Sequence, residues 1–417
     1  MQVGEGNFEP VIEKFGDKNA LNEWKTLNNE LKPVTELSVA VPPLCLRQDP
    51  FVLFTLLPHI PKLLKNLLAV TKVEGSFYDI SKTIVKDKFL TNWFEFLSFA
   101  LSGLPADGTI AAAVAYTMRD LHQKGAALDY PIGGSGAVVN SLINAIVKKG
   151  GHVVLNSHVD SIDADSNGNV NGVILKKGKK KIKAKRAVIS NASLWDTIKL
   201  LPADLKNDKE AMFEETPMTN SFVHLHLGIN ASGLPHDLES HYSVINTWDD
   251  IEASQNHVII SIPSVLDPSM APDGCHVIHA YAAANEPYDL YDKKFASREE
   301  YNQFKQERCE FLYQAIERSI PDLRSGNRIM LDLAASPLTH ARFNRRYKGT
   351  YGPALRAGEA KFPYPKDLGI KNLLCCGDSV FPGIGVPAVA VSGANAASSS
   401  VSVKEQLDML EKLYTLG

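Results

Sequence analysis

The stretch CCGDSVFPGIGVPAVAVSGANAASS, residues 375–399, holds the densest set of chemically suggestive residues in this chain. It ends a short apolar run, turns at Gly377-Asp378, passes through a Pro/Gly loop holding Gly383 and Gly385, and opens a small-residue segment at Val386-Pro387. Residues 383–388 match G-x-G-x-x-A, the spacing of a dinucleotide pyrophosphate loop. Such a loop places its first glycine directly after a strand and an acidic ribose ligand at the end of the next strand. Here the run Leu373-Leu374-Cys375-Cys376 stops at Gly377, well before Gly383, and Glu405 falls in a helical tail over 401–416. The residues fit strand, turn, loop and helix instead. Glycines at 383 and 385 let a planar ring approach the backbone, and a helix starting near Val386, where proline costs nothing, offers free N–H groups to the negative edge of a reduced ring system. Asp378 can accept hydrogen bonds from a polyol chain. Gly393 with Ala388, Ala390, Ala394 and Ala396 describes a close-packed terminal helix equally well, so the flavin cradle and the packed helix both stand on these residues alone.

The elements that must position this stretch follow a mixed α/β order. With 417 residues, 44% hydrophobic, 22% charged and a net charge of −3, the chain has the composition of a globular protein of roughly two or three domains. It shows no basic footprint for nucleic acid and no apolar run long enough to cross a bilayer. Cys45, Cys275, Cys309, Cys375 and Cys376 are odd in number and lack the paired spacing of zinc sites, which predicts reduced thiols in an intracellular compartment. No targeting segment is visible at the start of the chain.

Residues 10–40 read as a polar helix. Residues 61–70 read as a basic amphipathic helix, with Ile60, Leu63, Leu64, Leu67 and Leu68 on one side and Lys62, Lys65 and Asn66 on the other. The segment 90–101 carries Trp93, Phe94, Phe96 and Phe99 almost all round and stops at Gly103 and Pro105, which predicts a buried or cavity-lining helix. Between Tyr130 and Ala192 the pattern gives a Gly-rich turn, then a helix with Val138, Val139, Leu142, Ile143, Ile146 and Val147 on one face. A strand at 153–155, a polar antiparallel excursion and a return strand at 187–189 complete that unit. Eight of the eleven residues 176–186 are basic, and the run reads as a solvated hairpin face. Residues 219–285 alternate as strands, 297–318 form a charged amphipathic helix, and 329–333 return to a strand. His224 and His226 share a face, but no acidic or cysteine partner sits at ligand spacing, so no metal is expected.

Four blocks, YPIGGSGAVVNSLINAIVKKGGHVVLNSHVDSI, SIPSVLDPSMAPDG, SPLTHARFNRRYKGTYGPA and LLCCGDSVFPGIGVPAVAVSGANAA, resemble successive blocks of the carotenoid cis-trans isomerase (prolycopene isomerase) family, relatives of phytoene desaturases and retinol saturase. The resemblance implies an α/β, FAD-dependent, amine-oxidase or phytoene-desaturase-like fold: an incomplete Rossmann-type FAD domain interleaved with a mixed-sheet and helical substrate domain. On that reading 1–129 is the helical part of the substrate domain, 130–200 an FAD-domain segment, 201–328 the substrate-domain sheet and helix, and 329–417 the C-terminal FAD-domain segment. Gly377 and Asp378 would serve the ribityl and pyrophosphate region, Gly383, Val386 and Pro387 the isoalloxazine, and Val159 the adenosine half through its backbone. The family's opening G-x-G-x-x-G unit has no counterpart: Gly4-Glu5-Gly6 follows no strand and Gly134-Ser135-Gly136 follows Tyr-Pro. The chain thus resembles the family without its first hundred or so residues, and a separate or missing N-terminal dinucleotide-binding segment is an expected partner.

The activity implied is isomerisation of poly-cis carotenes towards all-trans lycopene with reduced FAD and no net redox change, in the plastid. A polyene desaturase or saturase and a non-catalytic carotenoid-binding remnant are the alternatives. A carotene has no polar handle, so its binding rests on apolar area and tunnel shape, a role suited to Trp93, Phe94, Phe96 and Phe99. Drawing it from a lipid phase calls for a peripheral membrane surface, which the 61–70 helix would provide. No general acid or base is identified from the residues.

Overall fold

The computed structural model describes residues 3–65, 70–359 and 361–415. Their ten strands are β1 (Val159–Ala164), β2 (Val170–Leu175), β3 (Lys181–Lys183), β4 (Val188–Ser190), β5 (Ser221–Asn230), β6 (His241–Ile245), β7 (His257–Ser261), β8 (Cys275–Glu286), β9 (Ile329–Ala335) and β10 (Leu373–Cys375). The chain divides into two compact units, one of Met1–Ala127, Ser157–Met218 and Gly352–Gly417, the other of Leu128–Asn156 and Thr219–Tyr351.

In the first unit a helical core forms because four helices each hold one apolar stripe. The helix Ala20–Ser38 repeats Trp24, Leu27, Leu31 and Val34 at helical spacing, and all four are buried with Phe77, Phe94, Val114 and Met118. The helix Lys88–Ser102 is bounded by local chemistry. The Asp87 carboxylate accepts the Leu90 N–H at 2.8 Å and, through its other oxygen, the Asp17 N–H at 2.8 Å. Gly103, at φ +72°, closes the last turn by donating to the Phe99 carbonyl at 2.8 Å. Trp24 stacks on Phe94 with centroids 6.1 Å apart, and each buried phenylalanine contributes about 2 to 3 kcal/mol.

The same unit holds the antiparallel sheet β1-β2-β3 and the parallel pair β4–β10. The basic run is the solvated face expected of it: Lys179 pairs with Asp160 at 2.5 Å and Lys181 with Asp163 at 2.7 Å. Arg47 is 7% exposed. Its guanidinium is held by Asp49 at 2.6 and 2.7 Å, by Gln406 Oε1 at 2.8 Å and by the Val401 carbonyl at 3.1 Å.

The second unit is built on an antiparallel sheet in the order β6-β7-β8-β5-β9. Along β5, Val223, Leu225, Leu227 and Ile229 alternate inward and pack with Cys309, Leu312, Tyr313 and Ile316 of the helix Arg298–Glu317. Glu286, 1% exposed, is satisfied by Arg308 at 2.7 and 2.9 Å and by the Tyr291 hydroxyl at 2.7 Å.

The structure departs from the sequence reading at three places. Residues 153–155 are not a strand, and Val154 and Leu155 are 70% and 77% exposed; a strand exists only where a neighbouring backbone completes its ladder. The boundaries at 129, 200 and 328 fall elsewhere: residues 1–127 group with 157–218 and 352–417, while β9 pairs with β5 and so joins the sheet of the second unit rather than a C-terminal flavin segment. The helix Gly134–Lys148 likewise groups with 219–351. It starts at Gly133, at φ +81°, whose N–H donates to Asp267 Oδ2 at 2.8 Å. The apolar face read from the sequence is open: Val139, Leu142 and Val147 are 54%, 63% and 56% exposed.

Candidate functional site

The C-terminal stretch read as a candidate cradle follows the parallel β4–β10 pair. Beyond β10, Cys376 donates its N–H to the Ser190 carbonyl at 2.9 Å, and Gly377 donates to Ser392 Oγ at 3.1 Å, tying the turn to the helix Val386–Ser399. Gly377 lies at φ +108°, and a Cβ there would sit 2.7 Å from Asn191 Oδ1, so only glycine serves. Asp378 is half-buried in the same turn. The helix begins at Val386 with Pro387 in its first turn and Gly385, at φ +107°, as a cap that brings no side chain. The first-turn amides of Val386 and Ala388 therefore have no intrahelical acceptor and no side-chain cap. A Cβ at Gly385 would meet nothing within 4 Å, and Val386 is 79% exposed.

Gly383 behaves differently from Gly385. Its Cβ position is taken by the Phe362 ring at 2.9 Å, so a planar ring does lie against that backbone, and it is the protein's own. The open approach is at Gly385, where uncapped amides and positive end charge suit the electron-rich edge of a flavin. The lower half of the helix packs closely through Ser392, Asn395, Ala396 and Ser398, while its start at Gly385 is open. Cys375 is buried and its thiol is pushed up to about 12 by that burial, which keeps it protonated beneath the cradle.

The other expected residues are placed as follows. Val159 opens β1 and pairs with Leu175 at the end of the three-stranded sheet. Phe94, Phe96 and Phe99 are 2%, 9% and 1% exposed. Phe94 packs against Trp24 and Phe77 in the helical core, and Trp93 against Phe8 and Phe96. None of the four lines the 670 Å³ cavity floored by Leu31 and Met118 and rimmed by Glu9, Lys32, Lys62 and Arg119. Phe94 touches a smaller cavity of 260 Å³ edged by Lys82, Lys86 and Glu95. Of the 61–70 segment, the helix Ile60–Lys65 forms, while Asn66, Leu67 and Leu68 lie outside the described residues.

A second constellation lies on the sheet face opposite the core of the other unit. Strand β5 presents Phe222, His224 and His226, and β8 sets Tyr281 opposite His224 and His279 opposite His226. His224 Nδ1 and His279 Nε2 are 3.0 Å apart, His226 stacks on His279 at 4.4 Å, and His340 stacks on His224 at 4.3 Å. Burial first, and then the neighbouring imidazoles, hold His224 down to about 2 and His279 to about 4. Burial and then Arg346 hold His340 at about 4. The face is therefore a set of neutral rings at pH 7. Sequence reasoning found His224 and His226 but missed His279 and His340. The alternation His279, Tyr281 in a predicted strand was the available signal; the register that seats it beside His226 was not.

A family model described as flavin containing amine oxidoreductase matches residues 62–399. A chloroplastic prolycopene isomerase of Daucus carota is 33% identical over 326 residues, 76% of this chain and 51% of the relative. A lycopene-forming phytoene desaturase of Pseudescherichia vulneris is 27% identical over 78% of this chain and 65% of the relative. Among solved structures, an oxidoreductase of Methanosarcina mazei superposes with a TM-score of 0.51 at 17% identity, over 79% of this chain and 70% of that one. The chain spans about half the length of the curated prolycopene isomerases it matches. With a family model matching residues 62–399 and a relative 33% identical over 76% of its length, the chain belongs to the flavin containing amine oxidoreductase family.

Proposed function

We propose that this chain forms the larger part of a flavin-dependent isomerase that converts poly-cis carotenes such as prolycopene towards all-trans lycopene in the plastid. The observation that carries the reading is the open start of the helix Val386–Ser399, joined to 33% identity with a prolycopene isomerase over 76% of the chain. Gly385 and the amides of Val386 and Ala388 would hold the electron-rich edge of the ring, and Gly377 and Asp378 its polyol chain. A reduced flavin, when bound, supplies a reversible source of electrons or hydride that can lower the double-bond order of a conjugated chain. Pro387 and the side-chain-free cap leave that edge clear of competing donors. No proton transfer is assigned to a side chain of the cradle.

Two further parts of the reading rest on exposed apolar residues. Leu53, Phe54, Leu57 and Leu64 are 66%, 54%, 57% and 63% exposed beside Lys62 and Lys65, a surface suited to lying in a lipid interface; no described helix is long and apolar enough to cross a membrane. The open face of the helix Gly134–Lys148 suits cover by a polypeptide segment carrying a dinucleotide-binding unit.

The test is an assay of the chain joined to such a unit, with reduced FAD and poly-cis carotene in liposomes. Isomerisation leaves the product mass unchanged and shifts its absorption to that of the all-trans polyene. The similarity to a phytoene desaturase favours a second reading, and a product two hydrogens lighter would select it. Replacing Leu53, Phe54 and Leu57 by serine should release the protein from the liposomes, and unchanged pelleting of the folded variant removes the membrane part.

A further inference from the structure

We infer that His224, His226 and His279 form a binding site for a late first-row divalent cation of the zinc class. One nitrogen from each ring lies within 4.8 Å of the others. Two of those rings are nearer still, because His224 Nδ1 and His279 Nε2 stand 3.0 Å apart. Donors on a four-coordinate zinc at its usual bond length stand about 3.3 Å apart, so the ion would take the place of the proton now shared by that pair. Only His226 must swing inward. It is the exposed member of the three, which also gives the ion its way in.

The donor set selects the metal. Three imidazoles, with no carboxylate or thiolate among them, suit zinc, cobalt, nickel and copper and offer nothing to calcium or magnesium. The ring that donates in the His224–His279 hydrogen bond shifts to its other tautomer and keeps its hydrogen on the far nitrogen. His340, 4% exposed, packs beside the three with its ring 4.3 Å from that of His224. The strands explain the placement: β5 and β8 are antiparallel neighbours, and the pair His226 and His279 face each other across the ladder.

The test uses the protein without a histidine tag, stripped by chelation and titrated with Co²⁺. The expected result is one Co²⁺ per chain with a visible ligand-field band that Zn²⁺ abolishes. His226→Gln and His279→Gln, each checked for an unchanged metal-free melting curve, should weaken Co²⁺ binding at least tenfold, whereas His152→Gln should leave it unaltered. His226→Gln lies at an exposed position, so it answers the question even if His279→Gln fails to fold. Absence of the band, or equal affinity in the His226→Gln protein, overturns the site.

Discussion

Two helices of fifteen residues, Lys88–Ser102 and Gly134–Lys148, have comparably apolar sequences and opposite surroundings. The first buries Leu90, Phe94, Leu97 and Phe99. The second buries only Gly134 and leaves its valine and leucine stripe in solvent. The pattern of a helix states which face seeks cover, and the rest of the fold decides whether cover is present. An aromatic helix that reads as a substrate wall can be core, and a helix that reads as core can be an unfilled interface.

Acid should reveal the deepest cover. His224, His279 and His340 have folded values well below the ordinary 6.5 of an unfolded histidine, so above pH 6.5 neither state binds the proton and nothing is lost. Below it the unfolded chain takes up protons that the folded one refuses. Each ring then costs up to about 1.4 kcal/mol per pH unit between 6.5 and about 4. Denaturant titrations monitored in the sheet unit should show that slope, and His340→Phe should reduce it by one ring's share; a flat profile in the unaltered protein would mean the rings are wet.

Next in size, Phe94→Ala should cost about 3 to 5 kcal/mol in chemical denaturation, whereas Leu142→Ala should stay within about 0.5 kcal/mol. Equal costs would break the contrast between the two helices. Asp87→Ala, which removes the cap and the Asp17 contact together, should lose about 1 to 2 kcal/mol. Leu142→Glu should leave the melting temperature nearly unchanged, because it places a charge on an open face. Smallest of all, Lys179→Ala at the exposed Asp160 pair should change stability by under about 0.5 kcal/mol.

Local signals carried most of what was readable. Gly103 ended its helix, Val386-Pro387 began one, the Asn167-Gly168 and Lys177-Gly178 turns bracketed β2, and Gly377 and Gly383 marked positions with no room for a side chain. What remained hidden depended on distant pairing. Residues 153–155 have strand composition, yet a ladder needs a second backbone. Phe94 has the chemistry of a carotene contact, yet Trp24 and Phe77 occupy its ring faces. His279 joins His226 only through a register fixed by hydrogen bonds along β5 and β8.

Arg47 sets a timetable. Its buried guanidinium relies on Asp49 two residues away and on Gln406, 359 residues further along the chain. At roughly 5 to 20 residues per second, a ribosome reaches Gln406 about 20 to 70 s after Arg47. For that interval Arg47 holds a charge whose second acceptor has not been synthesised, so the packing around it is completed only once residue 406 has emerged. A nascent chain halted before residue 401 should stay open to protease around Arg47, and one extended so that Gln406 is free to fold should close it.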